Sequence, residues 1–150
     1  MPNTATESAH NFMAHRSALL DLLEHIPDAR ADFAAWEGAM SFKRLIDHLN
    51  GSSARMQSLM QGEKPEPVQA SADFAEAKKT MRQGALEVQN MLSSLTEEQL
   101  SKVVPAFGGM QLAVHQLVNM LIEHEIHHKG QIWMMARMIG LEPPRFVKMG

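Results

Sequence analysis

The residues best suited to catalysis or metal binding lie in the segment IEHEIHHKGQI, Ile122 to Ile132. His124, Glu125 and His128 match the H-E-x-x-H pattern, in which two histidines of one helix bind zinc and the glutamate is the general base of a protease. Independently of the glutamate, two imidazoles four residues apart project from the same helix face and can bind one ion. The segment therefore leaves two hypotheses open, a zinc protease and a different metal protein.

The residues that follow the motif argue against the protease. Such an enzyme needs a third zinc ligand downstream of the second histidine. The only side-chain carboxylate after His128 is Glu142, which lies beyond the expected end of the helix. The sequence also predicts no exposed strand edge that could hold an extended peptide. A chance match of Glu125 to the protease pattern is the better interpretation.

Helical periodicity places the two histidines within an apolar stripe. Steps of three and four residues keep side chains on one helix face, and here they connect Leu117, Leu121, His124, His128, Gln131, Met135 and Ile139. Buried imidazoles without partners would cost ~1–3 kcal/mol each. The pair is therefore either two core histidines bonded to their neighbours or two ligands of one metal ion.

A third ligand should come from a facing helix. His48 fits, because it lies on a line of helix two that borders the apolar stripe, made of Ser41, Leu45, His48, Ser52, Arg55 and Leu59. Taken alone, His48 could equally be a half-exposed polar residue. Together, His48, His124 and His128 would suit a divalent ion through neutral imidazole, with positions left for water or substrate. We expect Zn(II), with Ni(II) or Fe(II) as alternatives.

The other histidines carry weaker signals. His127 is expected at the rim of the site, His115 near a loop, and His10, His15 and His25 in solvent. Gly130 costs a helix ~1 kcal/mol relative to alanine, so we expect a neighbouring helix to approach closely there. Gln131 is expected to bond either that helix or a metal ligand. The sequence assigns no role to Glu125 or Lys129.

Four long segments have helical periodicity, and together they predict an all-α four-helix bundle in a single domain over residues 1–150. The predicted helices run from about Glu7 to Ile26, Ser41 to Gly62, Ser71 to Leu95 and Gln111 to Ile139. A short turn after Thr96 and the extended stretch VVPAFGG form an irregular connection before the last helix. The core of such a bundle is a usual place for a metal site.

The amino-acid composition limits the classes of molecule that the protein could bind. The 14 Lys and Arg residues and 17 Asp and Glu residues give a net charge of −3 without a basic block, which argues against nucleic acid. No apolar run is long enough to cross a membrane, and there is no cysteine and no signal-peptide pattern. We expect a cytoplasmic protein that acts on a small molecule; a homodimer stays open.

Two segments resemble a known family. HLNGSSARM at residues 48–56 and LVNMLIEHEIHHKGQIWMMARMIGLEPP at residues 117–144 resemble the DinB-like (DinB/YfiT) superfamily of four-helix-bundle metal proteins. That family shows a histidine on helix two and a late H-x-x-x-H-[RK]-G-Q motif. The match covers about a third of the chain. Lys129 stands where arginine is commoner, which keeps the charge but loses the bidentate fork.

The resemblance implies a function as well as a ligand set. It makes His48, His124 and His128 the metal ligands. Family members include S-transferases that use low-molecular-weight thiols, a mycothiol-dependent maleylpyruvate isomerase and proteins regarded as metal-dependent hydrolases. We therefore expect a metal-dependent enzyme, with a thiol S-transferase favoured on resemblance alone. The alternatives are a hydrolase and a non-catalytic, metal-binding stress-response protein.

Overall fold

The structure, a computed structural model, describes residues 4–149 and confirms the predicted four-helix bundle. Its four long helices and one short helix are α1 (Ala5–His25), α2 (Phe42–Met60), α3 (Phe74–Ser94), α4 (Glu97–Ser101) and α5 (Val114–Met138). Around the bundle, α1 packs against α3 and α5, and α2 packs against the same two helices. The consecutive helices α1 and α2 therefore lie diagonally opposite each other.

Side-chain caps define where most helices begin. The hydroxyl of Ser41 accepts a hydrogen bond from the backbone N–H of Arg44, as predicted for the start of α2. Thr4 and Glu7 form a reciprocal capping box at the start of α1, two residues earlier than expected. Asp73 caps α3, which begins at Phe74 and not at about Ser71. Each cap satisfies backbone donors that have no partner within the helix.

The connection before α5 is more regular than predicted. Strands β1 (Val103–Pro105) and β2 (Gln111–Ala113) pair antiparallel, and a 3₁₀ turn from Phe107 to Gly109 joins them. The two glycines of the turn, Gly108 and Gly109, have φ of 57° and 80°, conformations that other residues rarely adopt. Residues 111–113 therefore belong to a strand, and the last helix begins at Val114 instead of Gln111.

The core consists of two apolar clusters with a polar layer between them. One cluster lies at the end of the bundle that contains Leu22, Phe42 and Ile132. The other lies at the end that contains Phe12 and Leu117. At the level between them, buried Arg16, Ser53 and Glu125 replace apolar residues. The three histidines of interest lie at this same level, on the α2–α5 side.

No helix within residues 4–149 is long and apolar enough to cross a membrane.

Candidate metal centre

The structure brings the side chains of His48, His124 and His128 together across the groove between α2 and α5. The Nε2 atom of His124 lies 3.0 Å from Nε2 of His48 and 3.1 Å from Nε2 of His128. One ring nitrogen from each residue lies within 4.8 Å of the other two. The helices cross so that His48 meets the i, i+4 pair of α5, as the sequence predicted.

Hydrogen bonding alone does not account for this cluster. The Nδ1 atom of His128 is 2.7 Å from Oε1 of Gln131, an acceptor, so Nδ1 of His128 donates. A neutral imidazole carries one N–H, which leaves Nε2 of His128 with a lone pair directed at His124. Nε2 of His124 then has two nitrogen neighbours and can form a good hydrogen bond to only one of them.

A metal ion satisfies all three nitrogens. Metal–nitrogen bonds of ~2.1 Å place two ligand nitrogens about 3.0 Å apart at a right angle and about 3.4 Å apart at the tetrahedral angle. The spacings of 3.0 and 3.1 Å from His124 to the other two histidines are those of neighbouring ligands on one ion, and the ligand atoms of His48 and His128 lie within 4.8 Å of each other. Three protein ligands would leave coordination positions open for water or a substrate. The donor set therefore fits a divalent metal.

The site is more exposed than the sequence predicted. His48 is exposed and His124 is half-buried, whereas His128 is buried, as expected for a residue of the inward stripe. Gln131, expected on the inward stripe, is exposed too. Four residues of the predicted stripe are buried, and they are Leu117, Leu121, His128 and Met135. A second buried line, one residue further along α5, was not predicted and consists of Val118, Ile122, Glu125, Lys129, Ile132 and Ala136.

Partial burial favours the metal-binding form of two of the ligands. Desolvation, with a contribution from the nearby His128, lowers the pKa of His124 to about 4. Desolvation also lowers the pKa of His48, and His128 and Arg55 act in the same direction. Metals bind neutral imidazole, so these shifts keep both ligands available at neutral and mildly acidic pH.

Two pockets flank the histidine cluster along the α2–α5 groove. The first, of about 250 Å³, is lined by His48 and His124 together with Ser52, Arg55, Met56, Phe107 and Met120. We call it the ligand pocket. The second, of about 320 Å³, is almost entirely apolar and is lined by Ala35, Trp36, Ala39, Met40, Leu45, Gln131, Met134 and Met135. The histidine cluster therefore opens onto a pocket large enough for a small molecule.

Glu125 has a structural partner that the sequence did not reveal. Its two carboxylate oxygens accept hydrogen bonds from Nε and Nη2 of Arg16 at 2.6 and 3.0 Å. The Arg16 guanidinium also donates to the Met81 carbonyl oxygen at 3.2 Å and to Ser53 Oγ at 3.4 Å. These contacts join all four long helices. Glu125 does not line the ligand pocket, so it is not placed to act as the base of a protease.

Lys129 and His15 form a second contact between α1 and α5, and the expectation of a solvated His15 was wrong because His15 is half-buried. The ammonium group of Lys129 lies 2.8 Å from Nδ1 of His15 and donates to the carbonyl oxygen of Phe146. Desolvation lowers the pKa of Lys129 and of His15. The segment after α5 folds back over α1, where the Lys148 N–H donates to the Ala14 carbonyl oxygen at 2.9 Å. Lys129 therefore fastens the C-terminal segment and does not face the ligand pocket.

The remaining predictions near the site have mixed outcomes. His127 is exposed and stacks edge-on against His128, with ring centroids 4.7 Å apart, which is a rim position. His10 and His25 are exposed as expected. The expected close approach at Gly130 is wrong, because a Cβ atom there would meet nothing within 4 Å. Gln131 bonds a metal-ligand candidate, His128, which was one of its two predicted partners.

Comparison with known proteins places this geometry in a family. The model of the DinB family matches residues 1–149. The curated protein YjoA of Bacillus subtilis (strain 168), described as uncharacterized, is 28% identical over 137 residues, which is 87% of each chain.

Solved structures share the fold. The crystal structure of YjoA, a DinB-like protein, superposes with a TM-score of 0.78 at 24% identity and covers 95% of this chain and 98% of that chain. A DinB-like protein from Bacillus cereus has a TM-score of 0.82 at 18% identity, with 96% and 98% covered. YfiT from B. subtilis, described as a probable metal-dependent hydrolase with an unusual four-helix bundle topology, has a TM-score of 0.73 at 14% identity, with 92% and 89% covered.

Proposed function

Starting from the fact that the chain belongs to the DinB family, we propose that it is a metal-dependent enzyme that transfers a low-molecular-weight thiol to an electrophilic small molecule. The observation that supports this proposal most strongly is the opening of the histidine cluster onto the ligand pocket. A metal that only tied α2 to α5 would need no such access.

The three histidines would hold the ion. A bound divalent ion lowers the pKa of a coordinated thiol or water enough to make it a nucleophile at neutral pH. Gln131 fixes the ring orientation of His128 through the hydrogen bond from Nδ1, so Nε2 stays directed at the site. We propose Zn(II) as the ion, and Ni(II) or Fe(II) would fit the same ligands.

The pocket lining favours a thiol over water as the nucleophile. Met56, Phe107 and Met120 contribute apolar side chains to the lining, and none of the seven lining residues is a carboxylic acid. A hydrolase usually places a proton donor near the leaving group. Transfer of a thiolate to a carbon that bears a halide needs no such donor.

Hydrolysis is the second candidate. The same ligand set can hold a water molecule, and YfiT, which shares the fold, is described as a probable metal-dependent hydrolase. A small-molecule substrate, a cytoplasmic location and a homodimer stay proposals from the sequence.

Cobalt substitution tests the proposal. Replacement of the metal by Co(II) makes sulfur coordination visible as charge-transfer absorption in the near ultraviolet. The Co(II) protein would be titrated separately with bacillithiol, mycothiol, glutathione and coenzyme A. We expect a band with one of these thiols, its loss in His124→Ala, and transfer of the same thiol to 1-chloro-2,4-dinitrobenzene. No band with any thiol would refute S-transfer and leave hydrolysis as the candidate.

A further inference from the structure

Arg55 is the cationic residue in the lining of the ligand pocket. It lies on α2 seven residues after His48, which places it two helical turns along the same face, with Ser52 between them. The side chains of all three residues line the pocket. The same three residues also line an adjoining pocket of about 240 Å³ under the segment that follows α2.

The charge of Arg55 is not used by the fold. The ion pairs formed within residues 4–149 are Arg16–Glu125, Lys43–Asp47, Lys78–Asp28 and Lys148–Asp21, and none includes Arg55. Glu66 and Asp47 line the adjoining pocket. Asp47 is already bonded by Lys43 at 2.8 Å and by the Ser71 hydroxyl at 2.6 Å, and Glu66 forms no ion pair among the described residues. A guanidinium at the pocket wall is therefore free to bind a ligand.

The rest of the pocket limits what that ligand can be. Its lining combines the nitrogens of His48 and His124, the hydroxyl of Ser52 and the guanidinium of Arg55 with three apolar side chains, those of Met56, Phe107 and Met120. The volume of about 250 Å³ lies below the ~300–1,000 Å³ common for drug-sized ligands, so the ligand is small. A guanidinium pairs best with a carboxylate or a phosphate, whose oxygens match its parallel N–H groups.

We propose that Arg55 is a specificity-determining residue, which binds the carboxylate or phosphate of a small ligand whose other end reaches the histidine cluster. Ser52 donates a further hydrogen bond to the same anionic group, and the apolar lining residues contact the carbon chain between the two ends. The inference rests on the proposed function, because it assumes that the cluster holds a metal to which the ligand binds.

Three matched probes test this assignment on the full chain loaded with Co(II). The probes are 3-mercaptopropionate, 3-mercaptopropylphosphonate and neutral 3-mercapto-1-propanol, which share the thiol and differ in the group at the other end. Calorimetry measures binding whether or not sulfur reaches the metal, and the charge-transfer band reports sulfur coordination separately. We expect an anionic probe to bind about tenfold more tightly than the alcohol, the effect of one charge-assisted hydrogen-bonded pair at a partly exposed site. Comparison of the two anionic probes distinguishes a carboxylate from a phosphate ligand.

Variants assign the preference to Arg55. In Arg55→Gln we expect the preference to fall to about twofold or less, and in Arg55→Lys to be partly retained, because the charge remains but the fork is lost. The matched control is Arg82→Gln, which removes the same charge from an exposed position on α3. It should keep the full preference.

The outcomes separate this inference from the proposed function. Equal binding of all three probes to the wild type, or a preference that persists in Arg55→Gln, would overturn the role of Arg55 even if the sulfur band is present. No binding of any probe would overturn it as well. An Arg55-dependent preference without a sulfur band would support the role of Arg55 and refute thiol coordination.

Discussion

The buried ion pair between Arg16 and Glu125 gives the most quantitative prediction for stability. Arg16 and Glu125 are 0% and 1% exposed, so neither charge can be solvated by water if its partner is removed. Removing one member of such a pair costs ~3–5 kcal/mol, because a charge is left buried and unpaired. Whole domains of this size are stable by only ~5–15 kcal/mol, so the loss is a large part of the total.

We expect Glu125→Gln to lower the free energy of unfolding by about 3 kcal/mol. The substitution preserves volume, but the amide turns a donor toward the Arg16 guanidinium and removes its counter-charge. Arg16 would still donate to the Met81 carbonyl oxygen at 3.2 Å and to Ser53 Oγ at 3.4 Å, which is why the estimate lies at the low end of the range. Urea unfolding followed by circular dichroism measures the change.

The double variant Arg16→Met/Glu125→Leu should lose much less stability than the sum of the losses in Arg16→Met and in Glu125→Leu. Apolar residues of similar volume can replace a buried ion pair at little cost, so the coupling should be about 2 kcal/mol or more. Asp21→Asn is the control, because it breaks an exposed ion pair in which the side chains of Lys148 and Asp21 are 59% and 43% exposed. Such exposed pairs contribute ~0–1 kcal/mol. A Glu125→Gln protein as stable as the wild type, or additive losses in the double variant, would show that the pair does not hold the helices together.

Three further predictions concern the helix and the metal ligands. Gly130→Ala should raise the free energy of unfolding in urea by about 1 kcal/mol, since the position is helical and a Cβ atom there would meet nothing within 4 Å. A destabilised variant would show that the glycine has a role that packing does not reveal. When the pH is lowered in equilibrium dialysis, metal loss should begin at a pH well below ~6.5, the usual histidine pKa, because burial lowers the pKa of His48 and His124 and protons compete less with the metal. Loss of half of the metal at or above pH ~6.5 would contradict this. In the metal-free protein, the pKa of His124 is lower in the folded state than in the unfolded state, so the melting temperature should fall as the pH drops from ~6.5 toward 4. The fall should be smaller in His124→Gln, and an equal fall in both proteins would exclude His124 as a cause.

Much of the architecture could be predicted because helical periodicity is a local property. The apolar spacing located the four long helices, and Ser41 marked the start of α2. The i, i+4 spacing also placed His124 and His128 on one face. The inclusion of His48 depended on how α2 and α5 cross, which no local pattern specifies; the position of His48 beside the apolar stripe of α2 suggested it, and the family resemblance supported it.

Contacts between distant segments could not be predicted in the same way. Arg16 and Glu125 are 109 residues apart in the chain. The sequence did indicate that Arg16 is buried, because Arg16 lies on the line of Phe12, Leu19 and Leu23, where an inward apolar residue is expected. Its partner could not be chosen from the sequence, since two adjacent lines of α5 are buried and only one of them was predicted. The same ambiguity hid the burial of Lys129 and placed Gln131 inside.

The metal content of the His48→Ala protein tests the central claim most directly. Protein purified without a metal-affinity step, then loaded with Zn(II) and dialysed, would be measured by elemental analysis beside the wild type and the exposed rim variant His127→Ala. His48 is the ligand candidate that α2 contributes, so its removal leaves two imidazoles from one helix. We predict about one equivalent of metal in the wild type and in His127→Ala, and most of it lost in His48→Ala. Full occupancy in His48→Ala, or the same loss in His127→Ala, would contradict the three-histidine centre.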